Sequence, residues 1–283
     1  MGLPEIFISF QTAAVSAITR SARGVLAVAV KDATEGGATE AAYKSLAEVP
    51  EDKFSPENYR LLKLAFLAAP TKVWVLRVGE DAEKTYQALE RLRFDWLAAP
   101  GLDDARVMSF IKTLRNGGRG VKAVVANATA PDCEGIVNLC VSGLTLEDGA
   151  MEAKDYAVRV AALLAALPLT RSATYVNLPE VVGCDALAEP DADVDAGKLI
   201  IVPGREGYHL GRAVNSLTTL TPDKAAPFQK IKIVEGIDLI IRTDTADLAD
   251  MEILKANTGS QVFLEVHLTF CDAMEDLSLK ISM

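Results

Sequence analysis

Histidine, paired cysteines and aromatic rings are all scarce in this chain. His209 and His267 are the only histidines among 283 residues, and neither has a Cys or a carboxylate at metal-ligand spacing. That argues against a zinc site and against a histidine-based triad. The four cysteines, Cys133, Cys140, Cys184 and Cys271, form no CxxC pair. Their apolar or small neighbours predict buried free thiols in a reducing compartment. Aromatic residues make up 6% of the chain, so the core must come largely from Ala, Val, Leu and Ile. Small side chains favour close packing of helices on a sheet. No stretch approaches the roughly 18–20 apolar residues of a membrane helix, so no direct membrane insertion is expected. The opening MGLPEIFISF has no basic region and no long apolar run, unlike a signal peptide. Lys and Arg number 29 against 39 Asp and Glu, a net charge of −10, which disfavours a nucleic-acid partner.

Glycine-rich phosphate loops are missing as well. GEDAEKT (79–85) follows a strand pattern and opens a helix pattern, but its single glycine and its acids Glu80 and Asp81 suit a capped turn rather than an anion cradle. NGGRG (116–120) lies after a helix pattern, where glycine stops a helix. DADVDAG (191–197) alternates carboxylates as a calcium loop does, yet Ala196 and Val202 stand where such a loop needs Gly and Glu. Asp103 and Asp104 read as a helix cap rather than an acid–base pair. The expectation is no catalytic residue, no metal and no cofactor.

What the chain does have is regular alternation of strand and helix. RGVLAVAVKD (23–32) is a continuous apolar run, as a strand covered on both faces requires. Residues 33–52 read as a loop or short helix. Ser55 caps a helix with Pro56 at its first position and Glu57 in its first turn. KVWVLRVG (72–79) predicts a strand, and residues 81–92 a helix with Ala82, Tyr86, Leu89 and Leu92 on one face. FDWLAAPG gives a strand and turn. Residues 103–118 give a helix with Val107, Phe110, Ile111 and Leu114 inward, stopped at Gly117–Gly118. VKAVVANA (121–128) is another strand, residues 153–167 a helix ended by Pro168, and ATYVNL and KLIIVPG (198–204) further strands. The fold class is therefore α/β, a mainly parallel sheet with helices on its faces.

Both ends of the chain carry strand patterns. Ile6, Ile8 and Phe10 alternate near the beginning; Leu277, Leu279 and Ile281 alternate near the end, after a further run at 262–270. Residues 243–257 read as a helix stopped at Asn257–Gly259. Extended strands at both ends predict extended arms that add to the sheet of another copy of the chain.

Several blocks carry a resemblance. GRAVNSLTTLTPDKAAPFQKIKIVEGIDLI (211–240), LKANTGSQVFL (254–264) and DAMEDLSLKISM (272–283) resemble contractile tail sheath proteins of phages and phage-tail-like particles, in the form common in Gram-positive prophages. The opening MGLPEIFISFQTAAVSAITRSARGVLAVAVKD and the DADVDAGKLIIV segment are similar to that family too, so the likeness spans nearly the whole chain in order. It implies a structural subunit without catalysis that polymerises helically around an inner tail tube protein and contracts to drive that tube through a target envelope. Baseplate and tail terminator proteins are the further partners it implies. The place implied is the host bacterial cytoplasm for assembly, then the sheath of a virion or tail-like particle. It also implies three parts: an N-terminal linker arm at 1–20, an α/β core at 21–240, and a C-terminal helix and strands at 241–283. The inter-subunit arms would use Ile6, Ile8, Phe10, Leu277, Leu279 and Ile281, and the tube-facing helix Asp247, Asp250, Met251 and Lys255. Related chains carry a long segment after a motif like VEGIDLI, whereas here Ile240 meets Ile241 directly, so this is a shortened form.

Two other classes remain open from sequence alone. A small-molecule or nucleotide-binding α/β protein would hold its ligand at the carboxyl ends of the strands. A soluble adaptor would form a discrete oligomer rather than a filament.

Overall fold

The computed structural model describes residues 24–129, 131–205, 207–221 and 226–239. The expected arms, the 243–257 helix, the 262–270 strand, His267 and Cys271 lie outside the described residues. The elements below, up to residue 238, belong to one compact unit.

The chain enters β1 (Val25–Val30), whose six residues are all buried. Val25, Ala27 and Ala29 join one hydrophobic cluster and Leu26, Val28 and Val30 the other, so the apolar run is read on both faces. β2 (Glu40–Tyr43) follows, then α1 (Pro56–Phe66), β3 (Lys72–Arg77), α2 (Ala82–Arg91), β4 (Trp96–Ala98), α3 (Asp104–Asn116) and β5 (Lys122–Ala126). Next come β6 (Ile136–Cys140), the short strands β7 (Thr145–Leu146) and β8 (Gly149–Ala150), and α4 (Ala153–Ala166). β9 (Asn177–Leu178), β10 (Val181–Gly183), α5 (Pro190–Asp195), β11 (Lys198–Gly204) and β12 (Gly207–Leu210) complete the series, and residues 231–239 form α6.

The main sheet has the order β2-β3-β1-β4-β5-β6-β11-β12-β9. From β3 to β11 neighbouring strands are parallel; β2, β12 and β9 pair antiparallel at the two edges. Helices α1 and α4 cover one face through Leu61, Leu62, Tyr156, Val160 and Leu164. Helices α2 and α3 cover the other through Tyr86, Leu89, Val107, Ile111 and Leu114. The expected α/β architecture is thus found.

The local signals hold. The Ser55 hydroxyl accepts from the N–H of Asn58 with Pro56 at the first turn, and Asp103 accepts from the N–H of Arg106. Gly118 turns at φ +82 where α3 stops. Four details differ from expectation. The 33–52 segment contains the edge strand β2 and two short 3-10 turns. Of ATYVNL only Asn177–Leu178 is strand. DADVDAG is mostly a short helix, with Asp193 paired to Lys198 at 2.7 Å. Cys133 is buried, but Cys140 and Cys184 are only half-buried; all three are free thiols.

Candidate functional site

A doubly wound sheet places its ligands outside the carboxyl ends of the strands, where the strand order reverses. Here that point lies between β1 and β4, because the chain moves from β1 outward to β3 and returns to β4 on the other side. The crevice is closed by backbone. The Gly101 N–H donates to the Ala29 carbonyl at 2.9 Å. A Cβ at Gly101 would sit 2.7 Å from the Lys31 nitrogen and 2.8 Å from the Val30 carbonyl carbon. No side chain fits at that position.

The polar groups at this end are occupied with one another. The Asp32 carboxylate accepts from the N–H groups of Thr34 (2.9 Å) and Ser55 (3.0 Å) and from the Asn58 amide (2.8 Å). Burial pushes its pKa up, but those backbone donors outweigh it and hold the carboxyl at about 2. Arg77, 3.5 Å from Asp32, donates to the carbonyls of Thr34 and Lys53 and lies over the Phe54 ring. Lys154 donates to the Leu102 carbonyl and pairs with Asp104. A cavity of about 580 Å³ opens beyond β5 and β6, lined by Asn127, Val141, Ser142, Leu144, Met151 and Lys154 among others. The Asn127 amide is spent on the Val141 carbonyl at 3.2 Å, so few polar groups converge there.

The amino ends of the same strands are different. Helix α6 lies beside the starts of β4 and β5 and buries Ile231, Val234, Glu235 and Asp238. The spacing is i, i+3, i+4, i+7, one helical stripe, and half of it is carboxylate. Asp238 accepts from Lys122 Nζ at 2.6 Å and from both terminal nitrogens of Arg115 at 3.0 and 3.2 Å. Glu235 accepts from Trp96 Nε1 at 3.1 Å and from Lys232 Nζ at 2.6 Å. Arg115 also reaches Glu134, and Lys232 the Leu167 carbonyl at the end of α4. Burial pushes the Asp238 carboxyl up, and Lys122 and Arg115 outweigh it, holding it below the usual carboxylate range. Burial lowers the Lys122 ammonium, with the Arg115 cation adding to that; the carboxylate beside it opposes both.

Glycine makes room for this cluster. A Cβ at Gly120 would meet the Asp238 Cβ at 2.6 Å, and one at Gly135 would meet Arg115 Cδ at 2.2 Å. Gly120, read from sequence only as part of a helix stop, is therefore also the slot for a side chain from α6. Residue 24 enters at this end too, since Leu26 stands beside Trp96 in the register of β1 and β4.

The remaining sequence candidates behave as structural groups. Asp81 caps α2 by accepting from the Glu83 N–H. His209 stacks on Tyr175 with ring centroids 4.5 Å apart. Among the described residues no group of His, Cys, Asp and Glu could hold a metal ion, and no helix is long and apolar enough to cross a membrane. The arm residues Ile6, Ile8, Phe10, Leu277, Leu279 and Ile281 and the tube-facing candidates Asp247, Asp250, Met251 and Lys255 fall outside the described residues. Sequence reasoning missed Asp238, Glu235, Lys122, Arg115 and Trp96. The available signal was the helical spacing of 231, 234, 235 and 238.

No family model matches the chain. Individual proteins do. A tail sheath protein of Clostridium phage phiCD119 is 29% identical over 363 aligned positions, covering 100% of this chain and 99% of that one. A sheath tail protein from Desulfitobacterium hafniense has the same fold, with a TM-score of 0.74 at 16% identity, covering 96% of this chain and 89% of that one. The helical sheath of the anti-feeding prophage in its contracted state matches with a TM-score of 0.66 at 12% identity, covering 99% of this chain and 84% of that one. In sequence the chain is similar to a contractile tail sheath protein along its whole length, and its fold is that of solved sheath proteins.

Proposed function

We propose that this chain is the repeating subunit of a contractile tail sheath, assembling helically around an inner tube and contracting to drive the tube through a target envelope. The observation that carries this reading is the full-length likeness to a tail sheath protein. The filled crevice at the switch point supports it against a ligand-binding reading. Contraction in such a lattice needs no nucleotide: two packings of the same subunits, separated by an energy gap and a barrier, store the work.

The proposal extends to parts outside the described residues. Residues 1–20 serve as the linker arm, 21–240 as the core, and 241–283 as the C-terminal helix and strands. Ile6, Ile8 and Phe10, with Leu277, Leu279 and Ile281, supply the apolar faces of strands added to a neighbour's sheet. Asp247, Asp250, Met251 and Lys255 face the tube. The inner tube, baseplate and tail terminator proteins are its partners. Assembly takes place in the cytoplasm of a bacterial host, and the product is the sheath of a virion or tail-like particle.

Negative-stain imaging of concentrated purified protein tests the main claim. Tubes or stacked discs are expected, and uniform small particles would overturn it. Deleting residues 1–12 should leave a folded, soluble monomer that forms no tubes; long polymers from the deleted protein would remove the arm assignment. Reversing the charges of Asp247 and Asp250 should abolish co-purification with the tube protein while sheath tubes still form. Unchanged co-purification would mean that this helix faces elsewhere.

A further inference from the structure

We propose that Asp238 and Glu235 are positioning residues that fix α6 in one rotation and one register on the core. The mechanical use of that seat rests on the sheath reading; the seat itself does not. Apolar burial is non-directional. A nine-residue helix held only by Ile231 and Val234 could turn or slip and bury nearly the same area. The two carboxylates remove that freedom. Asp238 is held by Lys122 at 2.6 Å from β5 and by Arg115 at 3.0 and 3.2 Å from α3. Glu235 is held by the Trp96 indole at 3.1 Å from β4. One helical turn of slip would move each carboxylate about 5.4 Å, far beyond hydrogen-bond reach of these partners.

The surroundings are built for this arrangement. Lys122 and Asp238 have side chains only 6% and 7% exposed, so neither charge can fall back on water. Gly120 leaves the slot that the Asp238 side chain fills, and Gly135 leaves the one for Arg115. A buried ion pair of this kind adds little net stability over an apolar replacement of similar volume. Its distinctive contribution is geometric. The position matters because the compact core unit ends at Asp238 itself. A pull on the C-terminal end of α6 would enter the core through a residue tied to a strand and a helix by charge-assisted bonds.

The test uses the full chain. Replacing the cluster by apolar side chains, as R115M/K122M/D238L, keeps the volume and removes the directional bonds. The expected result is a melting temperature within a few degrees of wild type, amide hydrogen exchange at 231–238 at least tenfold faster, and at least a tenfold loss of sedimentable tubes. A purely structural role would leave exchange and tubes unchanged once the melting temperature is preserved, and that outcome overturns the proposal. If the triple variant fails to fold, E235M decides. It keeps the side-chain length, removes the acceptor of the Trp96 indole N–H and should speed exchange at 231–238 at least threefold with the melting temperature within a few degrees of wild type; no change there overturns the proposal. If wild type itself forms no tubes, the sheath reading fails, while the exchange comparison still decides the seat.

Discussion

The two ends of the parallel sheet solve the same problem in opposite ways. Both bury charge beside the strand termini. At the carboxyl end Asp32 is held by donors near in sequence, 2, 23 and 26 residues away, all between the end of β1 and the first turn of α1. At the amino end they are remote: Lys122, Arg115 and Trp96 reach across 116, 123 and 139 residues to the two acids of α6. Local bonds shape a loop; remote bonds hold a late segment of the chain in place. In a ligand-binding protein of this topology the carboxyl end would carry the function. Here the backbone approaches closely at the switch point, and the long-range charge cluster sits at the amino end, under α6.

The contrast breaks most visibly at Asp238. Its replacement by Ala leaves Lys122 buried without its carboxylate, and Arg115 with Glu134 and the Val121 carbonyl. Removing one partner of a buried pair costs about 3–5 kcal/mol. Urea unfolding of Asp238→Ala should show that loss, and a loss under about 1 kcal/mol would mean that the cluster is wet and the comparison misdrawn.

The carboxyl end should respond to acid. The folded Asp32 carboxyl, at about 2, lies below its ordinary 3.8. Its contribution is therefore fully present above the ordinary value and is lost as pH falls through about 2. The shift corresponds to about 2 kcal/mol. Asp238 is also held low and adds acid sensitivity with the same sign, so the informative quantity is a difference. Between about pH 4 and pH 2 wild type should lose about 2 kcal/mol more than Asp32→Asn does. Parallel stability curves for the two proteins would show that Asp32 is not held by its backbone donors.

This division between the ends also explains what the sequence could disclose. β1 and β5 were legible because burial on both faces makes an unbroken apolar run. Caps such as Ser55 were legible because the donor lies three residues away. Strand β6 was not, because Asn138 interrupts it; its side chain pairs with both backbone groups of Ala128, a contact that no periodicity encodes. The strands β7, β8 and β10, of two or three residues, are too short to show a period. Helix α6 hid its inward face because two of four buried positions are acidic, and their partners lie more than a hundred residues upstream. The switch-point closure hid in a single glycine, Gly101, whose meaning is an approach of two strands. The arms and the tube-facing helix came from the end patterns and the family likeness.

The smallest expected effect sharpens the comparison from the other side. If the carboxyl end is only a knot, nothing should bind there. A sizeable space near it is the cavity of about 580 Å³ beyond β5 and β6. Its Asn127 amide is engaged with a carbonyl and its Lys154 ammonium with Leu102 and Asp104. A phosphate entering the cavity would have to take Lys154 from the Asp104 carboxylate, losing an ion pair to gain one. A ligand that binds only the folded state raises stability by about 2.7 kcal/mol at a hundredfold excess over its dissociation constant. A thermal-shift titration with nucleotides, each with and without magnesium, should therefore show no saturable rise. The control is Lys154→Met, which removes the cation without filling the cavity. A saturable rise in wild type that disappears in Lys154→Met would place a ligand site at the carboxyl end and reverse the assignment of the two ends.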